Sequence, residues 1–402
     1  MRLGYKHTYL ASYLGYITQA ISINLLPLFF VLFQINYKIS LDGISIIITL
    51  NFIGQMSVDA LAPKIIPTFG VRNSVVFAHI SASFGLFLLS FLPDVFNFPF
   101  VAILISTFFI SIGGGLTEVL ISPIVNSIDD GNTSDEKKSR RMSLLHSFFS
   151  WGTVLIVLGT TIFFKFFGLN NWKIVPVIWA LIPFFNIFYF SCVKLPSSLS
   201  DEDEFSTKGI FKSKIFIVFL FLMVCSGAAE MGMGQWSSLF AEIGLGVSKE
   251  FGDILGPCFF AFLMGTSRVL YTFFGKKIEL KNALLTSAFL CVVSYGVAVF
   301  APSSIISLLG CAFCGFSVGL MWPGILSLSS SYFKEGNSSM FAYLALAGDL
   351  GCLLGPYVIG KISDCFISKG LLTNAALKSG MFFAMIFPVF MFLRLLFLKK
   401  DE

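Results

Sequence analysis

The sequence predicts an all-α polytopic membrane protein, with twelve transmembrane helices forming two pseudo-symmetric six-helix bundles. Three observations carry this. Of 402 residues, 56% are hydrophobic and only 12% charged, where a soluble domain carries about 25% charged residues. Mean hydropathy is +0.86, and the chain breaks into twelve apolar runs of the roughly 20 residues that a spanning helix needs. One polar stretch, 196–213, separates six runs from six. This composition excludes a soluble enzyme.

The runs fall at 8–34, 43–66, 73–93, 98–127, 141–167, 172–194, 214–242, 250–275, 280–301, 303–333, 338–366 and 372–398. The first follows Arg2 and Lys6 and lacks a small-residue cleavage site, so it reads as a retained helix. The expected division is an N-terminal bundle over 1–195, a cytoplasmic linker over 196–213 and a C-terminal bundle over 214–402. The linker holds the acidic run Asp201-Glu202-Asp203-Glu204, read as a solvated charge cluster. With the chain's start inside, nineteen of the 27 Lys and Arg fall in inner loops and seven in outer ones, leaving Arg268 within a helix. Positive charge stays on the cytoplasmic side. Both termini are therefore expected in the cytoplasm, with the protein in the plasma (inner) membrane.

Net charge is +5, and its place in loops, with no basic soluble module, argues against nucleic acid as a partner. The eight cysteines lie in or beside apolar runs and read as small buried residues. Cys311 and Cys314 have metal or redox spacing, but no His or second pair accompanies them, so no metal or cofactor is expected.

The halves echo each other. Gly115-Leu-Thr-Glu-Val-Leu-Ile-Ser-Pro123 precedes Gly315-Phe-Ser-Val-Gly-Leu-Met-Trp-Pro323 by 200 residues, with Gly and Pro coincident. Duplicated transporters place the substrate path between such halves near the midplane.

Ionisable groups inside a bilayer are costly and mark candidate sites. Glu118 follows Gly113-Gly114-Gly115 in the fourth run, Glu230 sits in Gly227-Ala-Ala-Glu-Met-Gly-Met-Gly-Gln-Trp236 in the seventh, and Asp349 lies mid-run in the eleventh. All three are candidates for proton coupling; the plain alternative for each is a helix-packing hydrogen bond, for Asp349 a pairing with a neighbouring helix in which His146 is the named partner. Candidate substrate-binding residues are Gln19 and Asn24 in the first run, His146 in the fifth, Gln235 and Trp236 in the seventh, and Trp322 in the tenth. An indole offers a flat apolar face and one donor, suited to a sugar. Asp59, Lys64 and Arg72 around Gly70 read as a gating loop. Arg268 is grouped with them as a residue that either snorkels to the interface or meets a cytoplasmic-side acid, snorkelling being the commoner outcome.

Glu118 with Ser122-Pro123, Ser143-Leu-Leu-His-Ser-Phe-Phe-Ser-Trp-Gly152, and Glu230 with Trp236 resemble the fucose permease-like branch of the major facilitator superfamily. The set Gly54, Asp59, Lys64, Gly70 and Arg72 is similar to that superfamily's signature between helices 2 and 3. The resemblance covers essentially the whole chain. It implies the major facilitator fold, sugar:proton symport, and a role for Glu118 in proton-coupled sugar uptake. A second acid expected in helix 1 is replaced by Ile23, with Asn24 beside it, and an Asn of helix 5 by Phe149. Glu230 or Asp349 would then compensate.

The leading expectation is a secondary transporter, working as a monomer, whose partners are a small polar solute, protons and the lipid bilayer. An efflux or exchange carrier for an amphipathic compound is the alternative within transport. A membrane enzyme would need paired acids or metal ligands close to a loop, and the loops here are short and hold no His. No Gly-x-x-x-x-Gly-Lys-Ser/Thr sequence supports an ATP-driven pump.

Overall fold

The computed structural model describes residues 3–39, 41–128, 134–196, 211, 213–241, 245–247, 252, 254–275, 278–333 and 338–398. Most of the expected linker, at 197–210 and 212, lies outside the described residues, as do the loop cations Arg2, Lys276, Lys277, Lys334, Lys399 and Lys400.

The helices are α1 (Tyr5–Asn24), α2 (Phe30–Tyr37), α3 (Leu41–Phe69), α4 (Val71–Val95), α5 (Pro99–Asn126), α6 (Asp135–Phe167), α7 (Ile174–Cys192), α8 (Lys214–Leu239), α9 (Phe259–Phe274), α10 (Leu280–Phe300), α11 (Ser304–Val318), α12 (Met321–Tyr332), α13 (Ser338–Ser368), α14 (Thr373–Ala384) and α15 (Ile386–Leu396). Among the described residues they make twelve segments, because three expected spans are broken rods. α1 and α2 meet at a 3-10 turn around Pro27, α11 and α12 at Gly319-Leu320, and α14 and α15 at Met385. A proline without an N–H interrupts the first. Among the described residues, ten segments are long and apolar enough to cross a membrane. α6 begins six residues before its apolar run, since Asp135-Glu-Lys-Lys-Ser-Arg-Arg141 continues the helix beyond it.

α4 is inverted relative to a helix of a water-soluble protein. On α4 the exposed face carries Phe77, Ile80, Phe84 and Phe91, while Ser74, Ala78, His79, Ser81 and Ala82 are buried. Lipid accepts large apolar side chains, so the interior takes small and polar ones.

The chain divides into two compact units. The first comprises Met1–Asn132, Phe148–Thr207 and Asn337–Ala342, and the second Thr133–Ser147, Lys208–Gly336 and Tyr343–Glu402. The opening turns of α6 thus group with the second unit, and the rest of that helix with the first.

In the first unit, Phe29 and Phe33 pack their rings on buried Trp172 at centroid distances of 5.4 and 5.6 Å. Nearby, Tyr37 donates to Asp94 at 2.8 Å, and Lys173 pairs with the same carboxylate. Deeper, His79 joins three helices. Its Nδ1 lies 2.8 Å from the Val75 carbonyl, which only accepts, so that nitrogen carries the proton. Its Nε2 then accepts from Asn186 Nδ2 at 2.8 Å, and Asn186 also donates to the Ala11 carbonyl at 3.0 Å. This neutral imidazole ties α4 to α7 and, through Asn186, to α1. At the far end of α7, Leu3 pairs with the helix's last residue and the chain just past it: the Leu3 N–H donates to the Cys192 carbonyl at 3.0 Å, and Lys194 N–H to the Leu3 carbonyl at 2.8 Å.

In the second unit α8 and α13 touch backbone to backbone. A Cβ at Gly351 would fall 2.1 Å from the Val224 carbonyl oxygen, and one at Gly355 2.2 Å from that of Ala228. No rotamer relieves a clash with backbone.

Two substitutions test this packing. Gly351→Ala should cost about 1–3 kcal/mol through forced separation of α8 and α13, seen as a lower melting temperature in detergent. Asn186→Ala leaves His79 Nε2 unmet and should cost a similar, about 1–3 kcal/mol. Ser12→Ala is its control: that buried hydroxyl has no hydrogen-bond partner, so its removal should leave the melting temperature unchanged or higher.

Candidate functional site

In the first unit the glycine run brings α5 against α1 and α3. A Cβ at Gly114 would stand 3.0 Å from Ser22 Cβ and 3.3 Å from Gln55 Oε1, and one at Gly115 3.1 Å from Gln55 Cα. One turn further, Glu118 is buried and accepts a hydrogen bond from Gln19 Nε2. The other half of that amide is unused: Gln19 is 4% exposed, and its Oε1 has no hydrogen-bond partner. Around the pair, Asn51 donates to the Ser22 carbonyl at 3.0 Å, and the Tyr16 and Ser122 hydroxyls lie 2.6 Å apart. Asn24 spends both amide hydrogens locally, on the Ala20 carbonyl at 3.0 Å and Thr153 Oγ1 at 3.1 Å.

The fold thus joins Gln19 and Glu118, and adds Asn51 and Gln55, which the sequence reading passed over. Their signal was an i, i+4 amide pair within an apolar run, a spacing that puts both on one helix face.

The second unit holds a buried charged pair. Arg268, on α9, is 2% exposed. Its Nε donates to the Gly319 carbonyl at 2.6 Å and one Nη to the His146 carbonyl at 2.8 Å, while the other Nη lies 3.8 Å from Glu230 Oε2. The backbone carbonyl of Arg268 accepts from Ser143 and Thr272, each at 2.9 Å, and Arg140 Nε reaches the Thr272 carbonyl. Arg268 therefore does not snorkel, which corrects the commoner expectation. The carbonyls of Gly319 and His146 take its donors inside the unit, with Glu230 beside them. His146 enters this group through its carbonyl, with its side chain buried.

Trp322 is buried on α12, its ring pressed on Gly348, where a Cβ would fall 2.2 Å away, beside buried Asp349. Trp236 and Gln235 separate: Gln235 is exposed, whereas Trp236 donates its indole N–H to the Pro356 carbonyl at 3.2 Å and packs at Gly360. Its one donor is already engaged with α13.

The expected gating loop is not a loop. Asp59 and Lys64 both lie within α3, the first buried and the second exposed, and only Gly70 separates α3 from α4. Gly70 has φ +76°, a conformation that other residues adopt at a cost. Arg72 instead reaches the end of α7, donating to the carbonyls of Phe190 at 2.7 Å, Ser191 at 3.1 Å and Val193 at 2.8 Å. A guanidinium there satisfies the helix's last carbonyls and its negative dipole end.

Among the described residues no group of three or more His, Cys, Asp or Glu could hold a metal ion.

Comparison with known proteins agrees with this architecture. The Escherichia coli fucose:proton symporter FucP superposes with a TM-score of 0.76 at 16% identity, over 96% of this chain and 98% of that one. The proton:xylose symporter XylE gives 0.80 at 12% identity, over 96% and 94%. At these identities the likeness is one of fold. The sodium-dependent glucose transporter 1 of Xenopus laevis is 25% identical over 207 residues, which are 51% of this chain but only 42% of that protein. The sequence model of the Major Facilitator Superfamily matches residues 12–356. With twelve helical segments and a match over most of its length, the chain belongs to the Major Facilitator Superfamily and is an integral membrane transporter.

Proposed function

We propose that this transporter carries a neutral, hydroxyl-rich solute of the sugar class by alternating access, coupled to protons through Glu118. The observation that carries this reading is the Gln19–Glu118 pair. Its amide N–H is committed to the carboxylate, which leaves a buried amide oxygen with no hydrogen-bond partner. An unmet buried acceptor is expensive, and a solute hydroxyl would satisfy it. The helices around it favour a neutral solute over an anion: α5 has no Lys or Arg, α1 none after Lys6, and α3 only Lys64. That FucP is a fucose:proton symporter, XylE a proton:xylose symporter and the Xenopus protein a sodium-dependent glucose transporter supports the same reading.

In this reading Glu118 takes a proton together with solute from one side and loses it on the other. The hydrogen bond from Gln19 senses that change, since a protonated carboxyl and a carboxylate hold an amide donor differently. Asn51 and Gln55 join Gln19 as solute-binding groups. Glu230 and Asp349 are the further candidate acids, and Trp322 lines the path beside Asp349. The bundles expected at 1–195 and 214–402 rock against each other in a monomer, with both termini in the cytoplasm and the protein in the plasma (inner) membrane.

Three measurements test this. In proteoliposomes supplied with labelled D-glucose, L-fucose or D-xylose, Glu118→Gln should retain counterflow but lose uphill accumulation to the level of empty vesicles. A mutant that still concentrates solute like the wild type removes Glu118 from coupling, and accumulation that follows a sodium gradient instead of a pH gradient changes the coupling ion. Gln19→Leu should abolish stabilisation of the purified protein by the transported sugar. For orientation, a reporter active only in the cytoplasm should work when fused after Pro196 and stay silent after Asn97.

A further inference from the structure

The second unit contains a run of contacts that the proposed sugar wall does not use. Arg268 holds the Gly319 carbonyl at 2.6 Å and the His146 carbonyl at 2.8 Å, and its remaining Nη faces Glu230 Oε2 at 3.8 Å. That carboxylate oxygen is buried without a hydrogen-bond partner. Gly319 belongs to the joint between α11, which ends at Val318, and α12, which begins at Met321. α9 can reach the joint because two side chains are missing: a Cβ at Gly315 would lie 2.1 Å from the Phe260 carbonyl oxygen, and one at Gly319 2.8 Å from that of Met264. Past the joint, α12 carries Trp322 against Gly348, the neighbour of Asp349.

We infer that Arg268 is a positioning residue for α12: the charge on Glu230 sets how firmly Arg268 holds the Gly319 carbonyl, and through it the angle of the short helix that carries Trp322. A guanidinium presents its donors in one rigid plane. To shorten the 3.8 Å gap to Glu230 to the roughly 2.8 Å of a charge-assisted hydrogen bond, the plane must turn, which draws Nε and the other Nη off their carbonyls. A charged Glu230 pulls towards that second arrangement. A neutral Glu230 leaves the carbonyls as the better acceptors, and the one at Gly319 also carries the negative end of the α11 dipole. Tyr295 of α10, which donates to the Ala229 carbonyl at 2.9 Å, and Cys314 of α11 also stand near Glu230; neither brings a positive charge that would compete with Arg268. Glu230 and α12 are thus joined through one side chain with two discrete arrangements.

The test needs no solute, so it stands apart from the sugar reading. Hydrogen–deuterium exchange of the full chain in nanodiscs would follow the amides from Gly319 to Gly324, with thermal melting confirming that each variant is folded. Glu230→Gln should slow exchange there by about tenfold, since removing the charge leaves Arg268 on the carbonyls and local opening sets the rate. Glu230→Asp, one methylene shorter, keeps the charge but moves it away from Arg268 and should slow exchange less. In an Arg268→Lys background, where the ammonium cannot bridge the same acceptors, neither change at Glu230 should alter these amides. Unchanged or faster exchange in both Glu230 variants overturns the inference, as does slowing that persists in the Arg268→Lys background, because Arg268 would then be only a structural cap.

Discussion

An apolar side chain gains nothing by leaving lipid for a neighbouring helix, so a bundle in a bilayer is held by how closely its backbones approach. This chain meets that constraint with glycine at its tightest crossings. Gly113 admits α4 to α5, with Ala82 N within 2.6 Å of a would-be Cβ; Gly315 admits α9 to α11; Gly351 and Gly355 admit α8 to α13. At each crossing any side chain larger than hydrogen would meet main-chain atoms. The large side chains, phenylalanine above all, go outward, where lipid is their solvent.

Close approach also decides which polar groups can meet. Glu118 reaches Gln19 because Gly114 and Gly115, one turn before it, let α5 settle on α1 and α3. Arg268 reaches the Gly319 carbonyl because Gly315 and Gly319 leave α9 no obstacle. In both units, then, the polar chemistry lies next to the glycines, and the packing that stabilises each unit also desolvates its acid. Buried acids without such neighbours would stand among apolar side chains with nothing to answer their charge.

Much of this was legible in the sequence. Hydropathy located all twelve segments, most within a few residues, because length and apolarity are properties of one stretch of chain. The boundary error at α6 has the same origin: Asp135 to Arg141 is helical yet polar, and an apolar pattern stops where the apolar residues do. Burial cost singled out Glu118, Glu230 and Asp349, and all three are buried. What could not be read was pairing between helices. Arg268 looked like a snorkelling residue from its distance to the end of its run; its acceptors lie on α6, α8 and the α11–α12 joint, far away in sequence. Asn51 and Gln55 disappeared into an apolar run, and Trp236 looked available because Pro356, which takes its N–H, lies 120 residues on. Arg72 likewise reads as part of a loop because the carbonyls it holds, at the end of α7 and just past it, lie about 120 residues on.

The pairing of Leu3 with Cys192 and Lys194 bears on how such a protein is made. Two main-chain hydrogen bonds bring together residues almost two hundred positions apart, and everything between them except the opening turns of α6 belongs to the first unit. On a ribosome this clasp cannot form until Lys194 has emerged, by which time α1 to α7 have all been synthesised. Its closure marks a stage at which α1 to α7 are all present and fastened from Leu3 to Lys194, while α8 to α15 have yet to take their places. The asparagine and histidine that link α1, α4 and α7 become partners at the same stage, because Asn186 lies near the end of α7.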